Sequence, residues 1–193
     1  MRIETLSTFP HMYDSVMGSS MMQRAQDKGI ISFTAYDLRD WTYDRHRTTD
    51  DDPYGGGAGL VMKCEPLFEA VESILGVEPR DLADTPARAA EGGIGAPSEP
   101  AAAAAPARRG LYADATDARV VFLAPQGRPF DDAYASELSA CDRLLFVCGH
   151  YEGIDERVYA LADEVISLGD YVLTSGELAS MVVIDAVVRK IPG

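Results

Sequence analysis

An α/β fold, with a mostly parallel sheet carrying helices on both faces, is what this 193-residue sequence predicts. Three observations point to it. Short apolar, β-rich runs alternate along the chain with segments of helical periodicity. Two of the runs, Val120 to Leu123 and Leu144 to Cys148, are continuously apolar, as strands buried on both faces are. Glycine turns follow several runs, which suits strand ends whose backbone must approach a ligand without a Cβ in the way.

Taken in order, Arg2 to Phe9 reads as a first strand stopped by Pro10, and Ile30 to Leu38 as a second. A helix fits between them and ends at Lys28-Gly29, a common helix stop. In Pro66 to Leu75 the apolar residues Leu67, Phe68, Val71, Ile74 and Leu75 recur at helical spacing, with Pro66 near the start, where its missing N–H does no harm. Val120 to Leu123 and Leu144 to Cys148 are strands, with Asp131 to Cys141 a helix between them. Gly153 to Asp163 reads as a short helix before a strand around Val165. The last helix, Glu177 to Lys190, is apolar on most sides (Leu178, Met181, Val182, Val183, Ile184, Val187, Val188), which suits a core-central helix or one at a subunit interface. Residues 78–116 break the alternation. The stretch from Pro86 to Gly110 is rich in Ala, Pro and Gly and offers only Ile94 as a large apolar residue, too little to offset its ordering entropy. A flexible surface insertion is expected there.

Composition narrows the function classes. A net charge of −14 argues against a sequence-independent grip on nucleic acid, which needs a basic face. Arg39, Arg45, His46 and Arg47 form one local basic group, followed at once by Asp50, Asp51 and Asp52. No apolar run reaches the roughly eighteen residues of a membrane span. MRIETLSTFP does not read as a signal peptide, and Cys64, Cys141 and Cys148 form no CxxC pair. Cys148 reads as a buried reduced thiol, and a reducing, cytoplasmic setting is expected.

The chemistry-bearing stretches are the turns. Gly149-His150-Tyr151-Glu152-Gly153 follows one apolar run, Leu168-Gly169-Asp170-Tyr171 follows Val165-Ile166-Ser167, and Ser175-Gly176 comes soon after. Leu123-Ala124-Pro125-Gln126-Gly127-Arg128 is another strand followed by a glycine turn. Together they suggest a ligand held largely by main chain. The loop Pro53 to Gly59, PYGGGAG, lacks the Lys and Ser/Thr of a phosphate-binding P-loop. Asp155 and Glu156 read as acids in the first turn of a helix. Glu152, inside its turn, stands between that reading and a functional one. His46 and His150 read as surface or hydrogen-bonded histidines. No metal-ligand cluster is legible, and magnesium stays an open second cofactor.

STFPHMYDSV, DRHRTTDDDPYGGGAGLVMK, FLAPQGRPF, CGHYEGIDERV and SLGDYVLTSGELASMVVIDAVVRKIPG, in this order, resemble the successive motifs of bacterial tRNA (guanine-N1)-methyltransferases of the SPOUT superfamily. The resemblance spans nearly the whole chain outside the Ala/Pro insertion. It implies methylation of the guanine 3′ to the anticodon of tRNA, guanine 37, a deep C-terminal trefoil knot, a homodimer with a shared active site, and S-adenosylmethionine held bent in the knot loops. Residue by residue, it implies a donor site of Phe122, Leu123, Ala124 and Pro125, of Gly149, Tyr151 and Glu152, and of Ser167, Leu168, Gly169, Asp170, Tyr171, Val172, Leu173, Ser175 and Gly176. It places Glu152 facing the guanine and Arg189 as an aid to the chemistry. Contacts to tRNA and to the dimer partner's site fall to the segment Asp44 to Gly59, with Arg45, His46, Asp50, Tyr54, Gly55, Gly56 and Gly57. Ser175 stands where the family usually has glycine, and Ala124 where it usually has serine. In the family the motif continues past Ile191-Pro192-Gly193 into a linker bearing the general-base aspartate and a small tRNA-gripping helical domain. The expectation is therefore that this chain binds the methyl donor and methylates poorly, tested by comparison with a longer chain. The alternatives are a non-catalytic donor- or RNA-binding fragment and a SPOUT ribose 2′-O-methyltransferase.

Overall fold

The computed structural model describes residues 1–53, 56, 59–80 and 110–193. Along the chain its elements are β1 (Arg2–Ser7), α1 (Asp14–Met17), α2 (Ser20–Asp27), β2 (Ser32–Asp37), β3 (Asp50–Asp51), β4 (Val61–Met62), α3 (Cys64–Leu75), β5 (Ala118–Pro129), α4 (Asp132–Ser139), β6 (Arg143–Val147), β7 (Gly153–Ile154), β8 (Glu164–Ser167) and α5 (Gly176–Val188). Among the described residues, 3-10 turns at Pro10–Tyr13, Leu38–Trp41 and Glu156–Leu161 accompany them.

The central sheet has the order β2-β1-β6-β5-β8, and all its pairings are parallel. Strand side chains alternate between faces, and the alternation here feeds two cores. From β5 and β6, Val121, Leu144, Phe146 and Cys148 join Tyr13, Met22, Leu138, Val183 and Val187 of the helices on one face. Val120, Phe122, Leu145 and Val147 join Leu67, Val71, Val158 and Leu161 on the other. Burial on both faces is why these runs contain no polar residue. β1 carries a fully buried acid, Glu4, whose charge is matched: the Arg143 Nε donates to it at 2.6 Å and the Tyr36 hydroxyl at 3.1 Å, with Arg2 at 2.6 Å. These partners lie on β6, β2 and β1, so the acid staples three strands.

A second, three-stranded sheet joins β3, β4 and β7, with β4 antiparallel to β3 and parallel to β7. This corrects the helix expected from Gly153 to Asp163: Gly153–Ile154 pairs as a strand, and only Glu156–Leu161 turns, as a 3-10 helix. The expected insertion at 78–116 also needs correction at its edges. Leu111 and Tyr112 are buried in the second core, and the Arg80 N–H donates to the Tyr112 hydroxyl at 3.0 Å. Its middle, residues 81–109, lies outside the described residues. Among the described residues no helix is long and apolar enough to cross a membrane.

Candidate functional site

A cavity of about 480 Å³ opens outside the carboxyl ends of β5, β6 and β8, where parallel α/β sheets bind ligands. Three segments wall it: Leu123 to Gln126, Gly149 to Ile154, and Ile166 to Gly176 apart from Asp170. Each has a local cause. In the β5–β8 ladder both Leu123 and Arg128 register with Ile166, so residues 124–127 are extruded as a bulge toward the cavity. After β6 the chain turns through Tyr151 at φ 61°, an uncommon conformation for a non-glycine residue. After β8 the chain crosses to the end of β6, where Gly176 opens α5. A Cβ on Gly176 would stand 2.7 Å from Gly149 N and 2.9 Å from Cys148 Cα, and the Gly176 N–H donates to the Gly149 carbonyl at 2.8 Å. Only glycine permits that approach.

Most of the expected donor-site residues meet here: Leu123, Ala124, Pro125, Gly149, Tyr151, Glu152, Ser167, Leu168, Gly169, Tyr171, Val172, Leu173, Ser175 and Gly176 all line the cavity. Two do not. Phe122 points to the opposite side of β5, fully buried against Tyr159 at 5.3 Å between ring centroids, because its neighbour Leu123 takes the cavity side. Asp170 is exposed and stands off the wall. Sequence reasoning missed others. His150 lines the cavity, its ring between Phe9 at 4.8 Å and Tyr151 at 4.9 Å, and its Nδ1 is buried without a partner among the described residues. Tyr159 and Gln126 also line it, and burial raises the Tyr159 hydroxyl's pKa.

A buried polar group lies at the start of α5, behind the cavity wall. Ser175 is the N-cap residue, yet its Oγ is buried and makes no hydrogen bond among the described residues, the α5 N–H groups included. Glu177 is fully buried; one carboxylate oxygen accepts from the Ser7 Oγ at 2.5 Å and the other has no partner among the described residues. Cys148 behind it lies 3.1 Å from the Tyr13 hydroxyl, and burial pushes its thiol up to about 12, with the nearby Glu177 carboxylate adding to the rise. A thiol so protonated is no nucleophile at neutral pH.

The residues expected to meet tRNA are scattered by comparison. Arg45 and His46 are exposed on a turn that Asp44 organises by accepting from the His46 and Thr48 N–H groups and the Thr48 hydroxyl. The Thr48 bonds lead in holding the Asp44 carboxyl below the usual range. Of the basic group, Arg39 and Arg47 are committed to Asp37 and Asp40. Burial raises the pKa of the Tyr151 hydroxyl, with the Asp50 carboxylate adding to the rise. Gly56 is exposed; Tyr54, Gly55 and Gly57 lie outside the described residues. Arg189 is not brought to Glu152 within the chain. It is exposed at the far end of α5, about 15 Å along the helix from Ala179, which lines the cavity. Asp155 caps the 3-10 turn, accepting from the Arg157 N–H, and pairs with the Arg157 guanidinium at 2.7 Å, the structural role read for it.

The profile of the family described as tRNA (Guanine-1)-methyltransferase TrmD matches residues 1–89 and 89–193. The chain is 47% identical over 194 residues to a tRNA (guanine-N(1)-)-methyltransferase of Heliobacterium modesticaldum, covering all of this chain and 60% of that protein. Proteins of the same description from Dehalococcoides mccartyi and Chloroflexus aggregans are 43% and 45% identical, with 64% and 62% of their lengths covered. The chain thus spans a little over three-fifths of the length of these curated relatives. A crystal structure of tRNA (m1G37) methyltransferase from Aquifex aeolicus superposes with a TM-score of 0.73 at 30% identity, over all of this chain and 71% of that one.

Proposed function

Because this chain belongs to the tRNA (guanine-1)-methyltransferase family, we propose that its cavity holds S-adenosylmethionine and that its chemistry is methyl transfer to N1 of the guanine 3′ to the anticodon of tRNA. The observation that carries this reading is the meeting of three glycine-bearing loops, 123–127, 149–154 and 166–176, around one cavity at the strand ends. The residues suit the donor. The cavity has the volume of a small-molecule site, Gly149, Gly153, Gly169 and Gly176 line it, and a buried hydroxyl, Ser175 Oγ, has no partner among the described residues. When bound, S-adenosylmethionine supplies a methyl group on a positively charged sulfur.

The chain's own residues position and polarise. Guanine N1 carries a proton at neutral pH and becomes a nucleophile only as that proton leaves and charge grows on O6. Glu152 stands exposed at the cavity wall, where its carboxylate accepts hydrogen bonds from the guanine N–H edge. Arg189 steadies the developing negative charge. Since about 15 Å of helix separates Arg189 from Ala179 at its own cavity, the arginine serves the site of a second copy in a homodimer. The exposed stripe of α5 supports this. Leu178, Val182, Asp185 and Arg189 follow one another at helical spacing, and the first two are apolar and 42% and 55% exposed. Phe9, Met12 and Val16, also exposed, flank the Tyr13 that bonds Ser180 of α5, and so extend the apolar face a partner would cover.

A trefoil knot fits the path of the chain after β8. It leaves the sheet edge, passes the end of β5 and docks Gly176 against Cys148 and Gly149 of β6, a return across a neighbouring strand that supports a threaded path. Three unpaired cysteines accord with a reducing, cytoplasmic setting. The test is transfer of labelled methyl from S-adenosylmethionine to a tRNA transcript, followed by nucleoside analysis. Label in N1-methylguanine, lost when that guanine is replaced by adenine, supports the proposal. Label in a ribose 2′-O-methyl group would overturn it.

A further inference from the structure

We infer that Gly59 is a positioning residue for Glu152, and that the ribbon from Gly59 to Met62 acts as a clamp fixing how Glu152 presents to the cavity. Gly59 has φ +90°, and a Cβ built on it would lie 2.1 Å from Glu152 Cγ and 3.0 Å from its Cδ. The Glu152 side chain therefore occupies the space that any other residue at 59 would fill. Neighbouring contacts hold the two together. The Glu152 N–H donates to the Leu60 carbonyl at 3.1 Å, Val61 and Met62 pair with Gly153 and Ile154, and the Asp155 N–H donates to the Met62 carbonyl at 3.2 Å. The Glu152 side chain and the backbone that follows it are thus set from one short ribbon.

Glycine at 59 leaves room for the long acid and at the same time limits where it can go. An alanine there cannot move aside, because its Cβ is fixed to the backbone, so the acid must swing away from the position that the ribbon defines. The inference rests on the role proposed for Glu152, and its test separates the two. A double-mutant cycle joins Gly59→Ala and Glu152→Ala, read first by thermal unfolding without donor or tRNA. Gly59→Ala lowers the unfolding midpoint by roughly 5–10 °C in the native chain. In the Glu152→Ala background it costs at most about 3 °C, the strain of a left-handed alanine alone. If Gly59→Ala leaves the native chain unfolded, restoration of folding by Glu152→Ala supports the inference. Equal costs in both backgrounds, or failure of Glu152→Ala to restore folding, would overturn it. The same variants are then assayed for methyl transfer. The expected result is a loss in kcat by Gly59→Ala that approaches the loss caused by Glu152→Ala, with no further loss in the double variant. A coupled stability cycle with unchanged methyl transfer would leave the clamp standing and remove the role proposed for Glu152.

Discussion

Replacing Gly176 with alanine moves the wall of the cavity, and the structure sets how far. The new Cβ meets Gly149 N at 2.7 Å and Cys148 Cα at 2.9 Å. Both are backbone atoms of the end of β6, so no rotamer change relieves the contact. Restoring ordinary separation lifts the start of α5 by about 1 Å. Overpacking of this kind costs roughly 1–3 kcal/mol, and loss of the Gly176 N–H bond to the Gly149 carbonyl adds about 1 kcal/mol. Alanine's better helix propensity returns up to about 1 kcal/mol. The net, about 2–3 kcal/mol, corresponds to a fall of roughly 5–10 °C in the unfolding midpoint of a chain this size. Because Ser175 and Gly176 line the cavity, S-adenosylmethionine affinity by calorimetry falls about tenfold or more. Gly153→Ala is the control: it lines the same cavity, but its Cβ meets nothing within 4 Å. It leaves the midpoint within about 2 °C of native. If Gly176→Ala melts and binds as the native chain does, the docking of α5 on β6 is not what shapes the cavity.

Alkaline titration reads the buried tyrosines. Burial, with donation to Glu72, pushes the Tyr112 hydroxyl up to about 12, above the ordinary value of 10.0. The folded state therefore holds that proton more tightly than the unfolded one. Its contribution is complete below about pH 10 and is lost as pH rises through about 12. Tyr112→Phe flattens the fall of the unfolding midpoint over that window, and an unchanged slope refutes the assignment. For the proposed shared site, Arg189→Ala leaves donor affinity unchanged and lowers methyl transfer by roughly 100-fold. Mixing Arg189→Ala with Glu152→Ala chains regenerates one intact site in each mixed pair and restores transfer; no restoration refutes sharing between copies.

Much of this fold was legible where a segment's own periodicity sufficed. The continuous apolar runs gave β5 and β6 because both faces of the sheet are covered, and the spacing from Leu67 to Leu75 gave α3. The cavity loops were legible as glycine turns. What escaped depended on distant partners. β4 and β7 are two residues each, too short for a pattern, and they exist because Val61 pairs with Gly153. Leu111 and Tyr112 follow an Ala/Pro tract that gives no sign of them, and they are buried by α3 and the turn at Glu156–Leu161. Phe122 was assigned to the cavity by its motif, yet strand alternation turns it into the core beside Val120. His150 carries no periodic signal, and its place in a glycine turn after a buried strand was the one available hint. For Arg189, the length of α5 alone shows that motif neighbours need not be neighbours in one chain.

Amide chemical-shift mapping during titration with S-adenosylmethionine tests the central claim most directly. The predicted shifts concentrate in residues 123–127, 149–154 and 166–176 and saturate at one donor per chain. An absence of shifts, or shifts centred instead on the shallow groove between Tyr13 and Phe33, would contradict it.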